Sequence, residues 1–124
     1  MIQGIEHSAI ASADIAALAS WYVNTLGFTI NYQSPNAIFV KAPDGSMIEL
    51  IHSEGDRGAA TLKTPGLRHL ALTVTDFDSA YAGLKSKGVG FVTEPMESKG
   101  NRVVFFTDPD GNYLHLLQRG TPLP

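Results

Sequence analysis

From Ile5 to Ala11, and again from Leu67 to Thr75, apolar and polar residues alternate with the two-residue period of a strand buried on one face. Each run leads to an aspartate, Asp14 or Asp76, placed so that its carboxylate accepts the first free amides of a helix. The helices run to Leu26 and Lys87, where Gly27 and Gly88 can adopt the left-handed conformation that ends a helix. Three shorter strands follow in each half: Phe28 to Gln33, Ala37 to Ala42 and Ser46 to His52, then Val89 to Glu94, Arg102 to Thr107 and Asn112 to Gln118. The last two of each set flank a Pro-Asp-Gly turn, a strong hairpin signal. The pattern predicts βαβββ, twice.

The two halves also match residue by residue. Gly4, His7 and Asp14 each lie 62 positions before Gly66, His69 and Asp76, and Pro43, Asp44 and Gly45 lie 66 positions before Pro109, Asp110 and Gly111. The second copy has gained residues around "EPMESKGN", which reads as an inserted loop. Between the copies, "SEGDRGAATLKTPG" breaks the periodicity. The expected architecture is an α+β domain spanning 1–124, with module one at 1–53, a linker at 54–65, module two at 66–119 and a tail at 120–124. Its mixed sheets would curve into a cup about a pseudo-twofold.

Composition narrows the function classes. The 124 residues suit one domain with a real core, 44% are hydrophobic and 17% charged, and the net charge is -3. Nine scattered Lys and Arg build no basic stripe, so nucleic acid is not an expected partner. The absence of Cys removes disulfides, thiolate zinc sites and thiol nucleophiles. No run approaches the roughly 20 apolar residues of a membrane span and the N-terminus lacks a leader pattern, so a cytoplasmic protein with no membrane contact is expected.

Strand alternation places His69 with Ala71 and Thr73, away from Leu70, Leu72 and Val74, which would face the helix. Glu49 shares its face with Met47 and Ile51, and His115 with Tyr113 and Leu117. If a pseudo-twofold relates the modules, His7/His69 and Glu49/His115 would converge around it. A lone strand histidine is more often an exposed or satisfied residue than a ligand, but these four fall in two equivalent pairs, in the register the repeat predicts. His52 lies on the opposite face from Glu49 and reads as surface. Trp21 and Tyr22 read as helix core and helix flank, respectively. Met47, Tyr113 and Leu117 are candidates for lining a substrate cup, as are Phe105 or Phe106; Lys99 and Arg102, near the inserted loop, either hold an anionic substrate or face water, and loop position favours water.

These residues resemble a known family. The repeated βαβββ layout, "WYVNTLGF" at the end of the first helix and "FFTDPDGNYLHLLQ" near the end of the chain are similar to the vicinal oxygen chelate superfamily, which includes glyoxalase I, extradiol dioxygenases and bleomycin resistance proteins. The resemblance runs from Gly4 to Arg119 and implies metal positions at His7, Glu49, His69 and His115. The glyoxalase pattern has His or Gln, then Glu, His and Glu, so His115 stands where the pattern has its final carboxylate.

Three imidazoles and one carboxylate suit a divalent Zn, Ni, Co, Fe or Mn ion. The resemblance implies a glyoxalase-like lyase or isomerase acting on a small oxygen-chelating substrate by proton abstraction and enediolate stabilisation. Glu49 would act as base and ligand, and His115 as ligand or proton shuttle. An Fe(II)-dependent dioxygenase using His7, His69 and Glu49 stands beside it, as does a non-enzymatic small-molecule binding or resistance protein. Resembling proteins often dimerise, and a homodimer is expected here.

Overall fold

A computed structural model describes all residues, 1–124, and divides into two compact units, 1–57 and 58–124. In the first, β1 (His7–Ser12) leads into α1 (Ile15–Leu26), then β2 (Thr29–Gln33), β3 (Ala37–Lys41) and β4 (Met47–His52). The second repeats the order as β5 (His69–Thr73), α2 (Phe77–Ser86), β6 (Met96–Ser98), β7 (Asn101–Thr107) and β8 (Tyr113–Gln118). Each unit holds one four-stranded mixed sheet, ordered β1-β4-β3-β2 and β5-β8-β7-β6. The first and last strands of each module pair in parallel, and all other pairs are antiparallel. The α+β fold of two βαβββ modules is the one the sequence predicts.

Local chemistry accounts for the elements. The carboxylates of Asp14 and Asp76 accept the backbone N–H of Ala17 and Ser79 at 3.0 and 3.1 Å, capping both helices. At the end of α1, Gly27 turns left-handed at φ 78° and its N–H bonds the Val23 carbonyl. The helix α1 buries Ile15, Leu18, Ala19 and Tyr22, the i, i+3, i+4, i+7 face, against the sheet. Tyr22 is therefore core and Trp21 half-buried, the reverse of the assignment made from sequence. The opposing sheet face supplies Ile38, Val40, Ile48 and Leu50. In module two the core is Phe77 and Leu84 with Val104, Phe106, Leu114 and Leu116. Both Pro-Asp-Gly turns close hairpins, with Gly45 at φ 92° and Gly111 at φ 89°. No helix is long and apolar enough to cross a membrane.

One strand departs from the sequence expectation. Val89 to Glu94 forms only a bridge from Phe91 to Phe106, and the paired strand is Met96–Ser98, inside the segment read as an inserted loop. Two local features interrupt the ladder. The hydroxyl of Thr93 takes the Phe105 N–H at 3.1 Å, displacing a backbone partner, and Pro95 has no N–H to offer. The chain re-enters the sheet after Pro95 and reverses through Lys99 and Gly100, both at positive φ.

Asp76→Ala should lower the unfolding free energy by about 1 kcal/mol through loss of the cap. Phe106→Ala, which empties a fully buried position, should cost about 3 to 5 kcal/mol. Urea denaturation followed by far-UV circular dichroism checks both.

Candidate functional site

The parallel pairing of first and last strands sets the geometry. His7 lies opposite Met47 and Ala9 opposite Glu49, so His7 and Glu49 are diagonal neighbours on one face. His7 Nε2 is 3.6 Å from Glu49 Oε1. The same pairing sets His69 opposite Tyr113 and Ala71 opposite His115, and the two imidazole centroids are 4.6 Å apart. The residues opposite Glu49 and His115 are the small Ala9 and Ala71.

Each pair has an aromatic neighbour that the sequence reading did not single out as a pair. Phe39 lies opposite Glu49 and packs edge-on to His7, with centroids 5.3 Å apart. Phe105 lies opposite His115 and packs edge-on to His69, also at 5.3 Å. The signal was available: Phe39 and Phe105 each stand four residues before the proline of the Pro-Asp-Gly turn.

Hydrogen bonds select the ring nitrogens. His7 Nδ1 is 2.9 Å from Glu6 Oε1, so Nδ1–H donates to that carboxylate and Nε2 is the nitrogen that faces Glu49. Glu6 was also missed from sequence; its repeat counterpart is Arg68, which instead donates to the Thr61 carbonyl at 3.3 Å. His115 Nδ1 is 3.2 Å from the Leu116 carbonyl, which leaves Nε2 as its free nitrogen too. His115 is buried, and burial pushes its pKa below the ordinary 6.5; the neighbouring His69 and Arg119 push the same way, against the Leu116 carbonyl. A neutral imidazole with a free Nε2 is the form that ligates metals.

The donor chemistry fits a transition metal. Ligands about 2.1 Å from an ion stand roughly 3.0 to 3.4 Å apart, close to the His7–Glu49 separation. The structure brings His7 to Glu49 and His69 to His115, and gathers no set of three or more such donors in either module.

On the open face of the second sheet lies a cavity of about 620 Å³. His69, His115 and Phe105 line one part of it, Val103 and Leu117 the next, and Ser98, Lys99, Asn101 and Arg119 the far rim. Of the proposed substrate contacts, Leu117 is in this wall. Tyr113 directs its hydroxyl to the Ala60 carbonyl at 3.5 Å, and Met47 accepts from Asn31 Nδ2 at 3.3 Å through its sulfur. Arg102 does not line the cavity: half-exposed on the helix side of the sheet, it pairs with Asp78 at 2.8 Å and lies over the Phe77 ring. His52, read as surface, is exposed and bonds the Pro35 carbonyl at 2.9 Å.

The chain as a whole is similar to known proteins. Residues 4–116 match the family model described as the glyoxalase/bleomycin resistance protein/dioxygenase superfamily. The uncharacterized protein YwkD of Bacillus subtilis is 31% identical over 96% of this chain and 99% of its own. The glyoxalase family protein from Enterococcus faecalis superposes with a TM-score of 0.80 at 26% identity, covering 94% of this chain and 98% of that one. TnmS3, an antibiotic binding protein from Streptomyces sp. CB03234, superposes with a TM-score of 0.73 at 27% identity, covering 96% and 98%.

The lowered pKa of His115 gives a signed pH dependence. The unfolded imidazole gains its proton near pH 6.5 but the folded one does so only at lower pH, so the unfolded state binds more protons between the two values. Stability is complete above about pH 6.5 and falls as pH drops through that window. His115→Gln should flatten this part of the profile, as measured by urea midpoints at pH 7.5, 6.5 and 5.5.

Proposed function

We propose that this chain, which belongs to the glyoxalase/bleomycin resistance protein/dioxygenase superfamily, is a divalent-metal-dependent lyase or isomerase acting on a small substrate with adjacent oxygens. The observation that carries the reading is the repeated pair of metal-capable side chains, His7 with Glu49 and His69 with His115, at equivalent register in both modules. His7, Glu49 and His69, with His115 as a further donor, are the residues that would hold such an ion, which would supply Lewis acidity where negative charge develops on the substrate's oxygens. The protein is read as a cytoplasmic homodimer with Zn, Ni, Co, Fe or Mn as the ion.

The remaining chemistry belongs to the side chains. Glu49 is the one carboxylate among the four, half-buried and beside His7, and it accepts the substrate's carbon-bound proton at a carboxylate oxygen. Burial favours the neutral form of His115, whose Nε2 either ligates the ion or, left off it, relays a proton. Glu6 holds His7 in the tautomer that presents Nε2. The apolar cavity wall of Val103, Phe105 and Leu117 binds the substrate body and limits water.

A second reading, binding without turnover, draws on the likeness to TnmS3 and on the same apolar wall. Elemental analysis of untagged protein separates the two. About one transition metal per chain, lost in His7→Ala and held about 10- to 100-fold more weakly in Glu6→Ala, supports the metal enzyme. No retained metal after reconstitution with each of the five ions supports the binding protein. Iron with substrate-dependent oxygen uptake would move the chemistry to a dioxygenase. With a substrate in hand, Glu49→Gln should lower kcat by about 100-fold or more, and full turnover in that variant would remove Glu49 as the base.

A further inference from the structure

The far rim of the second module's cavity has a charge pattern that the metal reading does not use. Strand alternation sorts the ionic groups near β6 and β7 onto two faces. Glu97 lies opposite Arg102 on the helix side, where Arg102 also holds Asp78. On the cavity side, Ser98 lies opposite Asn101, and Lys99 and Arg119 complete the rim. Neither Lys99 nor Arg119 makes an ion pair, and no carboxylate lines the cavity. Two unneutralised cations thus share one end of the cavity with a hydroxyl and an amide, across an apolar middle from His69 and His115.

The backbone holds this end in place. Lys99 has φ 54°, the only non-glycine residue with positive φ, in a tight turn where Asn would be the unstrained choice. The turn is pressed against the chain leaving β8: a Cβ on Gly120 would lie 2.9 Å from the Gly100 carbonyl oxygen, and the Gly120 N–H bonds Asn101 Oδ1 at 3.2 Å. This contact sets the Lys99 turn beside Arg119. A lysine kept in a left-handed turn, against backbone preference, at the mouth of a cavity is a feature that turn formation alone does not explain.

Distance along the strand then defines the ligand. His115, Leu117 and Arg119 succeed one another on the cavity face of β8 and its continuation, and Phe105, Val103 and Asn101 run beside them on β7. Four residues of strand separate the imidazole end from the cationic end by about 13 Å. We propose that the cavity takes an elongated organic anion, with an apolar or aromatic body over Val103, Phe105 and Leu117 and an acidic group held by Lys99 and Arg119, its reactive end toward His69 and His115. This rests on the reading of the cavity as the ligand site but needs no metal.

The test uses 8-anilinonaphthalene-1-sulfonate and its uncharged counterpart N-phenyl-1-naphthylamine, titrated by fluorescence against the full chain after removal of metal with EDTA. The sulfonate should bind more tightly than the neutral probe and weaken as NaCl is raised from 0.05 to 0.5 M. Arg119→Gln and Lys99→Asn together should weaken the sulfonate by about tenfold and leave the neutral probe unchanged, whereas Phe105→Ala should weaken both. Lys99→Asn should also keep or raise the urea midpoint, because Asn suits the turn, which separates a ligand role from a structural one. Octanoate and octyl phosphate should displace the sulfonate where octanol does not, and whichever is stronger names the acidic group. Equal affinity for the two dyes, no saturable sulfonate binding, or sulfonate binding indifferent to the double variant would overturn the proposal. Because the protein is metal-free throughout, a failed metal analysis leaves this result standing, and the reverse holds as well.

Discussion

A strand has two faces, and everything at the candidate site depends on which of them lies beneath the helix. In β4, Ile48 and Leu50 are buried in the core with α1, and in β8, Leu114 and Leu116 are buried with Phe77 and Leu84 of α2. Burial of each such side chain is favourable by roughly 1.5 to 3 kcal/mol, so a slip of one residue in either strand would cost several kcal/mol. That constraint forces Glu49 and His115 onto the other face. Parallel pairing with β1 and β5 does the rest, bringing His7 and His69 to the diagonal position beside them. The site is a by-product of the register, and the register is held by apolar packing.

The two modules have kept this frame while diverging in chemistry. Position for position, a histidine, an alanine and a phenylalanine recur around each site, but Glu49 is matched by His115 and Glu6 by Arg68. Module one therefore pairs an exposed imidazole with a carboxylate on each side of it, a polar arrangement open to solvent. Module two has two imidazoles and a buried, neutral-leaning His115 over a cavity with a cationic rim. Module one thus carries the carboxylates and module two the cavity, a difference that a perfectly symmetric repeat would lack.

Sequence patterns were most reliable where one local rule acted alone. Asp caps, glycine stops, both Pro-Asp-Gly hairpins and the alternation in β1, β4 and β5 all appear in the structure as read, whereas in β8 both faces are buried from Leu114 to Leu117. They were least reliable where rules competed. The Val89 to Glu94 pattern alternates well enough for a strand, but a side-chain hydroxyl and a proline break its ladder, and the pairing moves to a segment whose Lys-Gly turn did not read as a hairpin. The swap of Trp21 and Tyr22 has a similar origin, since adjacent aromatics on a helix differ by 100° and only the sheet beneath decides which is inside.

What the sequence determined by itself was the repeat, the two βαβββ modules, and the shared face of each donor strand, because period and internal symmetry are properties of the chain and need no partner. The tertiary structure alone decided that Glu6 orients His7, that Phe39 and Phe105 pack against the paired donors, that Arg102 turns to the helix while Lys99 turns to the cavity, and that His115 is buried enough to stay neutral. Those outcomes depend on distances between strands and on desolvation, which arise only when separate stretches of chain are brought side by side.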